Sequence, residues 1–217
     1  MNDLVITKIT PKPYMCNVYI LESDGRYIVI DTTKENIGID FTKIDYVILT
    51  HEHYDHISGV NYFHEKSNAK IICSNVCGVN IQNSNINFSA IFRETFQIRT
   101  SEVVSPEIQS INYTCTADIT FKNDFYLYWQ GHELYLFETP GHSAGSICIV
   151  VDNKYLFCGD SLFKDCVTAT RLPGGSTKAW KYGSFPNINT LSKDLIVYPG
   201  HSDDFVLRDY KFWNVYK

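Results

Sequence analysis

Residues Thr50 to His56 read T-H-E-H-Y-D-H, which packs three histidines and one aspartate into six residues: His51, His53, Asp55 and His56. Neither a hydrophobic core nor a solvated surface asks for that density of imidazole, whereas a metal ion does. Imidazole is a common ligand for zinc and also suits iron, and carboxylate adds a harder oxygen donor. A chain with this run must fold so that these side chains converge. It is expected to hold metal, with two ions side by side.

The spacing adds to the composition. Asp45-Tyr46-Val47-Ile48-Leu49-Thr50 is apolar and β-branched and reads as a buried strand that ends where the histidines begin. From Asp55 to about Lys66 the pattern turns amphipathic, with Ile57, Val60 and Phe63 apolar at helical spacing. The ligands therefore sit on a strand-to-helix turn. His51 and His53 can point the same way, Asp55 and His56 can open the helix beside them, and Glu52 and Tyr54 point elsewhere.

Comparable signals recur downstream. Glu138-Thr139-Pro140-Gly141-His142 follows the strand-like Leu134 to Phe137, and Leu195 to Tyr198 leads into Pro199-Gly200-His201. Between them, Tyr155 to Cys158 ends in Gly159-Asp160. Each candidate sits just past an apolar strand, and α/β sheets build sites at such strand ends. His64 falls on the polar side of the proposed helix and His132 follows Gly131 in an expected hairpin turn, so both read as ordinary surface histidines.

Taken in chain order, Asn17-x-Tyr19, Val29-Ile30-Asp31, the His-x-His-x-Asp-His run, Thr-Pro-Gly-His142, Gly-Asp160-Ser-Leu-Phe and Tyr-Pro-Gly-His201 resemble the signatures of the metallo-β-lactamase-fold hydrolase superfamily. The resemblance spans nearly all of the chain. It implies an α/β fold, a four-layer αβ/βα sandwich with metals at one edge of the sheets, and residues 1–217 as one domain. It assigns His51, His53 and His142 to one metal and Asp55, His56 and His201 to a second, with Asp160 bridging both. The implied cofactors are two divalent metal ions, zinc first, with iron or manganese also suited to the donors.

Composition agrees with an enzyme of this kind. A chain of 217 residues buries a substantial core. No apolar run is long enough to span a bilayer, and the N-terminus lacks a basic and apolar leader, so a cytoplasmic protein without membrane contact is expected. The net charge of −5 argues against a nucleic-acid partner and leaves a small molecule as the substrate. Oligomeric state is left open. Seven cysteines read as thiols rather than a disulfide framework. Cys148 and Cys158 lie in apolar strands, and the Cys73/Cys77 pair has no second pair to complete a zinc site.

The coarse reading places strands near 4–9, 17–22, 26–31, 45–50, 69–73, 119–122, 125–129, 132–138, 145–151, 154–158 and 195–198. Helices are expected near 55–66, 74–82, 177–193 and 203–213. The polar segment from Ile81 to Ala117, with Phe92, Arg93, Phe96 and Arg99, is either an excursion that shapes the substrate pocket or a plain surface loop.

The resemblance implies a hydrolase in which water held between two metals attacks an electrophilic carbonyl or phosphorus, with Asp55 as the catalytic proton shuttle. Gly159 to Phe163 and Leu172-Pro173-Gly174-Gly175 resemble glyoxalase II and its short relatives, which hydrolyse thioesters. Two departures weigh against a glutathione handle. Cys166-Val167-Thr168-Ala169 stands where a Gly-x-Gly-Arg run is common, and the sequence ends sixteen residues after His201, short of a further helical domain. A small thioester or ester is therefore the expected substrate. The alternatives are a mononuclear iron oxygenase acting on persulfides, a lactonase, and a non-catalytic metal-bound scaffold. The diiron oxidoreductases of this fold usually carry Glu where His53 stands, together with a flavin domain, and the sequence shows neither feature.

Overall fold

Alternate side chains of the apolar strands point to opposite faces, and this sorts the core into three layers. The computed structural model describes residues 3–100 and 105–215. The first sheet runs β1 (Val5–Ile9), β2 (Val18–Ser23), β3 (Arg26–Ile30), β4 (Ile44–Ile48), β5 (Lys70–Ser74) and β6 (Ile119–Phe121), side by side in that order. β1 to β3 pair antiparallel, and β3 to β6 pair parallel. The second sheet comprises β7 (Asp124–Trp129), β8 (His132–Glu138), β9 (Ile147–Val151), β10 (Tyr155–Gly159), β11 (Ile196–Pro199) and β12 (Phe205–Val206), again in spatial order. Only its β10–β11 pair is parallel.

Ile28, Ile30, Ile48 and Ile72 of the first sheet pack against Leu134, Leu136, Ile149 and Phe157 of the second. The residues between them, Val29, Val47 and Ile71, face the other way, onto Ile57, Val60 and Phe63. On the far side Val150, Leu156 and Cys158 pack against Trp180, Phe185 and Ile188. The result is the expected α/β architecture, a four-layer αβ/βα sandwich.

Every expected strand is present with ends within two residues of the reading; β12 was not foreseen. The helices needed more correction. The expected helix over 55–66 is two, α1 (Tyr54–Ile57) and α2 (Val60–Lys66). They part at Gly59, whose missing side chain leaves room for the backbone of Thr33 and whose N–H reaches Thr32 Oγ1 at 3.2 Å. α3 (Asn75–Asn80) lies where expected, and α4 (Phe92–Thr100) was read only as part of an excursion. The stretch expected as 177–193 is helical only over α5 (Thr177–Ala179), a π turn at Trp180–Ser184 and α6 (Phe185–Asn189).

No helix forms over 203–213. Phe205 and Val206 instead pair with Val197 and Ile196, and a 3-10 turn at Leu207–Asp209 follows. The pairing buries Phe205 beside β11, and the 3-10 turn that follows buries Leu207. No helix among the described residues is long and apolar enough to cross a membrane.

Candidate metal centre

β4 delivers the histidine run to the edge of its sheet. The Thr50 N–H and hydroxyl both donate to Asp31, at 2.8 Å each. That carboxylate sits at a left-handed backbone position (φ 60°) just past β3. His53 precedes α1 in extended conformation, so Asp55 and His56 fall in the helix's first turn. The 51–53 alternation thus turns into a helix as expected. Glu52 points away from the other four. It accepts from the Ser143 hydroxyl at 2.7 Å, from the Gly145 N–H and from Asn80, and so ties the His142 loop to α3.

The second sheet supplies the rest. Asp160 follows β10, and His201 follows β11 across Gly200. A side-chain carbon at Gly200 would collide with Asp160 and approach His56 Cε1 to 2.7 Å, so glycine permits this crossing. His142 lies past β8. Asn17 and Tyr19 brace the His201 turn by donating to the Pro199 carbonyl at 2.9 and 2.6 Å.

All seven side chains expected at the centre are brought together. His51, His53 and His142 have potential ligand atoms mutually within 4.8 Å, as do Asp55, His56 and His201, and His51, His56 and Asp160. Asp160 joins the two groups, with Oδ1 3.5 Å from His56 Nε2 and Oδ2 3.4 Å from His142 Nε2 and 3.8 Å from His201 Nε2. Asp55 Oδ2 lies 3.4 Å from His201 Nε2. The other two histidines lie apart. His64 is exposed, as expected. His132 is not a surface residue: it is 2 % exposed, with Nδ1 2.7 Å from Asp152 and Nε2 3.0 Å from Ser23. A hairpin position gave no hint that its ring turns inward between the sheets.

The donors fit a cation on two counts. Four imidazoles carry an outer hydrogen-bonding contact at Nδ1: His51 to Thr50, His56 to Asp31, His142 to the Ala169 carbonyl and His201 to the Met15 carbonyl. Such contacts fix the tautomer and turn the other nitrogen inward. Second, His51 Nε2, His56 Nε2, His201 Nε2 and Asp160 Oδ1 are buried without a hydrogen-bond partner. Native proteins leave few buried polar atoms unsatisfied, and these four all face one space.

Electrostatics divides the cluster. Burial and neighbouring histidines hold His51 and His53 well below the usual imidazole pKa, and burial lowers His142. These three are neutral and ready to coordinate. Burial opposes charge on His56 and His201 too, but it is outweighed: Cys16, Asp31, Asp160 and Asp55 raise His56, and Asp160 and Asp55 raise His201. Asp160 is lowered despite its burial, because His201, His56 and His142 surround it. A cation would displace protons from the raised pair.

The sequence reading missed two neighbours of the centre. Cys16 is buried with Sγ 3.2 Å from His56 Nδ1, and burial pushes its thiol up to about 12. Phe88 places its ring 4.7 Å from that of His53, from a left-handed backbone position (φ 67°). Sequence spacing signals neither, since both reach the centre through loops. Cys148 and Cys158 are buried in the core as read, and so are Cys73 and Cys77.

Above the cluster opens a pocket of about 600 Å³ whose floor includes His53, Asp55, His142, Asp160 and His201. Phe88, Ile91, Phe92 and Phe96 form one wall and Phe163 and Leu172 the other. The excursion therefore does shape the pocket, through its aromatic residues; the side chain of Arg99 lies outside the described residues. Arg93 instead donates to the Ser105 and Ile108 carbonyls.

The chain is similar to known proteins. The chain is 30 % identical over 167 residues to a hydroxyacylglutathione hydrolase of Enterobacter sp. (strain 638), covering 76 % of this chain and 50 % of the relative. It is 26 % identical over 196 residues to a hydroxyacylglutathione hydrolase of Klebsiella pneumoniae, covering 88 % and 62 %. The chain thus spans roughly half to three-fifths of the length of these relatives. Among solved structures, the BLEG-1 B3 metallo-beta-lactamase superposes with a TM-score of 0.77 at 22 % identity, covering 97 % of this chain and all of that one. The sequence model of the metallo-beta-lactamase superfamily matches residues 11–201, from the turn before β2 to the last histidine of the cluster, and by that match the chain belongs to the metallo-beta-lactamase superfamily.

Proposed function

We propose that the chain is a metal-dependent hydrolase that cleaves a small thioester or ester with two divalent cations. The observation that carries this is the set of bare, buried nitrogen and oxygen atoms converging on the floor of an apolar pocket. His51, His53 and His142 would hold one cation and Asp55, His56 and His201 the other, with Asp160 shared. Zinc is the first choice for this donor set, and iron and manganese also suit it. When bound, such a pair supplies water that is acidic near neutral pH and electrostatic stabilisation for a developing oxyanion.

The chain's own residues do the remainder. The aromatic wall excludes bulk water from the reacting carbonyl, which strengthens every charge interaction at the floor. Asp55 is placed to take the proton of the attacking water. A thiolate can then depart without an acid, since its conjugate acid has a pKa of about 8.5. An alkoxide would need a proton, which Asp55 could return after taking it from the water; the described pocket lining offers no lysine, tyrosine or arginine as a further donor.

The relatives' name contains glutathione, and this reading departs from it. Two observations support the departure: Cys166 to Ala169 replace the Gly-x-Gly-Arg run, and no arginine or lysine among the described residues lines the pocket to receive glutathione's carboxylates. The test is an activity screen of the metal-free chain reloaded with zinc, iron(II) or manganese. The substrates are an aryl thioester, a lactone, a phosphodiester, S-lactoylglutathione and a persulfide. Thioester hydrolysis is expected with at least one metal. Oxygen uptake on the persulfide with iron, and no hydrolysis with any metal, would sink the reading. A rate on S-lactoylglutathione far above that on simple thioesters would sink the part about glutathione.

A further inference from the structure

The pocket has one polar end and no charged group elsewhere among its described lining residues. Asp55, Asp160 and three histidines make the floor, while the rest is mainly hydrocarbon, from Phe88, Ile91, Phe92 and Phe96 on one side and Phe163, Leu172 and Pro173 on the other. Arg171 does not line the pocket; it lines an adjoining hollow with Val167 and Thr177 that shares Ala169 and Leu172 with it.

The aromatic wall is built in. Phe88 sits at φ 67°, a conformation bulky residues rarely adopt, so its neighbours must hold it there. The adjacent Asn87 is fully buried and does so. Its amide donates to the Ile81 and Tyr113 carbonyls, its side-chain oxygen accepts from the Ser89 N–H, and its carbonyl accepts from the Tyr54 N–H at the head of α1. Phe92 is wedged edge-on between Tyr14 and Tyr54, with ring centroids 5.3 and 5.1 Å away. The wall and the helix that carries Asp55 and His56 are thus one packed unit. Phe88 and Phe92, buried against the protein yet lining the pocket, are suited to receive apolar substrate.

We infer that the acyl part of the substrate is apolar and uncharged, an aryl-alkyl or medium-chain group lying against the wall of Phe88, Ile91 and Phe92. This rests on the hydrolase reading for the bond that is cleaved. An anionic acyl group lying along this wall would lose its hydration and meet no cationic side chain there. An apolar one gains up to about fourfold for each methylene moved out of water.

The test uses metal-loaded full chain and N-acetylcysteamine thioesters of acetic, butyric, hexanoic, phenylacetic and succinic acids, which share one leaving group. In parallel, binding of the corresponding ketones, which cannot be hydrolysed, is measured by calorimetry. Hexanoyl and phenylacetyl are expected to exceed acetyl in kcat/KM by about tenfold or more, with succinyl about tenfold below butyryl. Ile91 and Leu172 are exposed, so Ile91→Lys and Leu172→Lys should fold normally. Either should lower hexanoyl and raise succinyl several-fold. Hydrolysis at a rate indifferent to the acyl group, or fastest with succinyl, overturns the inference and leaves the hydrolase reading intact. Ketones that bind in the expected order without any thioester being cleaved uphold the inference and overturn the hydrolase reading. Neither binding nor hydrolysis overturns both.

Discussion

Asp31 Oδ2 lies 2.8 Å from His56 Nδ1, while the same carboxylate accepts both the N–H and the hydroxyl of Thr50. One side chain past β3 therefore sets the end of β4 and the orientation of the His56 ring, whose other nitrogen faces Asp160. Replacing Asp31 with Ala should weaken zinc binding by about 10- to 100-fold, the usual effect of removing such an outer partner. Competition with a chromophoric chelator measures this. Unchanged affinity in a folded variant would mean that His56 does not hold metal, or holds it unaided.

Two metals per chain are expected on reloading, because seven donors exceed what one ion can use. Asp160 is the group common to both halves, so Asp160→Ala should lose at least one metal and most of the turnover. His64→Ala is the control. That ring is exposed, its nearest charged contact is Asp118 at 3.3 Å, and its removal should leave metal content and rate nearly unchanged. Two metals and near-normal turnover in Asp160→Ala would remove Asp160 from the centre. A firm stoichiometry of one in the native chain, whatever metal is added, would argue for a mononuclear site.

The strands and the seven converging side chains were legible because both are written locally. Period-two burial fixes Ile28, Ile30, Ile48 and Ile72 on one face, and the candidate donors lie within a few residues of the ends of apolar strands or in the short helix that follows β4. What escaped depends on contacts far apart in sequence. The stretch after His201 carries helix-compatible residues, but pairing of Phe205 with Val197 decides for a strand. Phe88 meets His53 only through the hydrogen bonds of Asn87. His132 looked like a turn residue because Asp152 and Ser23, twenty and more than a hundred residues away, supply its partners.

That last arrangement has a stability consequence. His132 belongs to β8 of the second sheet and Ser23 to β2 of the first, so the imidazole links the two sheets. Removing it as His132→Ala leaves the Ser23 hydroxyl and Asp152 without this partner in a buried setting. A loss of about 1–3 kcal/mol is expected from the unsatisfied groups, with a further cost for the cavity. Urea denaturation of the metal-free chain reads the loss, and zinc stoichiometry should stay the same. Stability within about 0.5 kcal/mol of the native chain would show that water replaces the ring at little cost.

The imidazoles also set how metal-free stability depends on pH. Burial lowers His51, His53 and His142 below the ordinary value of 6.5 in the folded chain. Between those depressed values and 6.5 the unfolded chain binds more protons than the folded one. Their contribution is complete above 6.5 and is lost as the pH falls below it. His56 and His201 are raised, so theirs is complete below 6.5 and lost only as the pH rises through their folded values. Asp160, which is lowered, keeps its contribution until the pH falls below the ordinary carboxylate value of 3.8. Between about pH 6.5 and about pH 5 the first three therefore decide the sign, and the thermal midpoint of the metal-free chain should fall on acidification. The increment gained by adding zinc should shrink over the same window, since protons compete with the cation for every ring. A metal-free midpoint that is flat or rises between about pH 6.5 and about pH 5 would contradict the assignment of three neutral imidazoles.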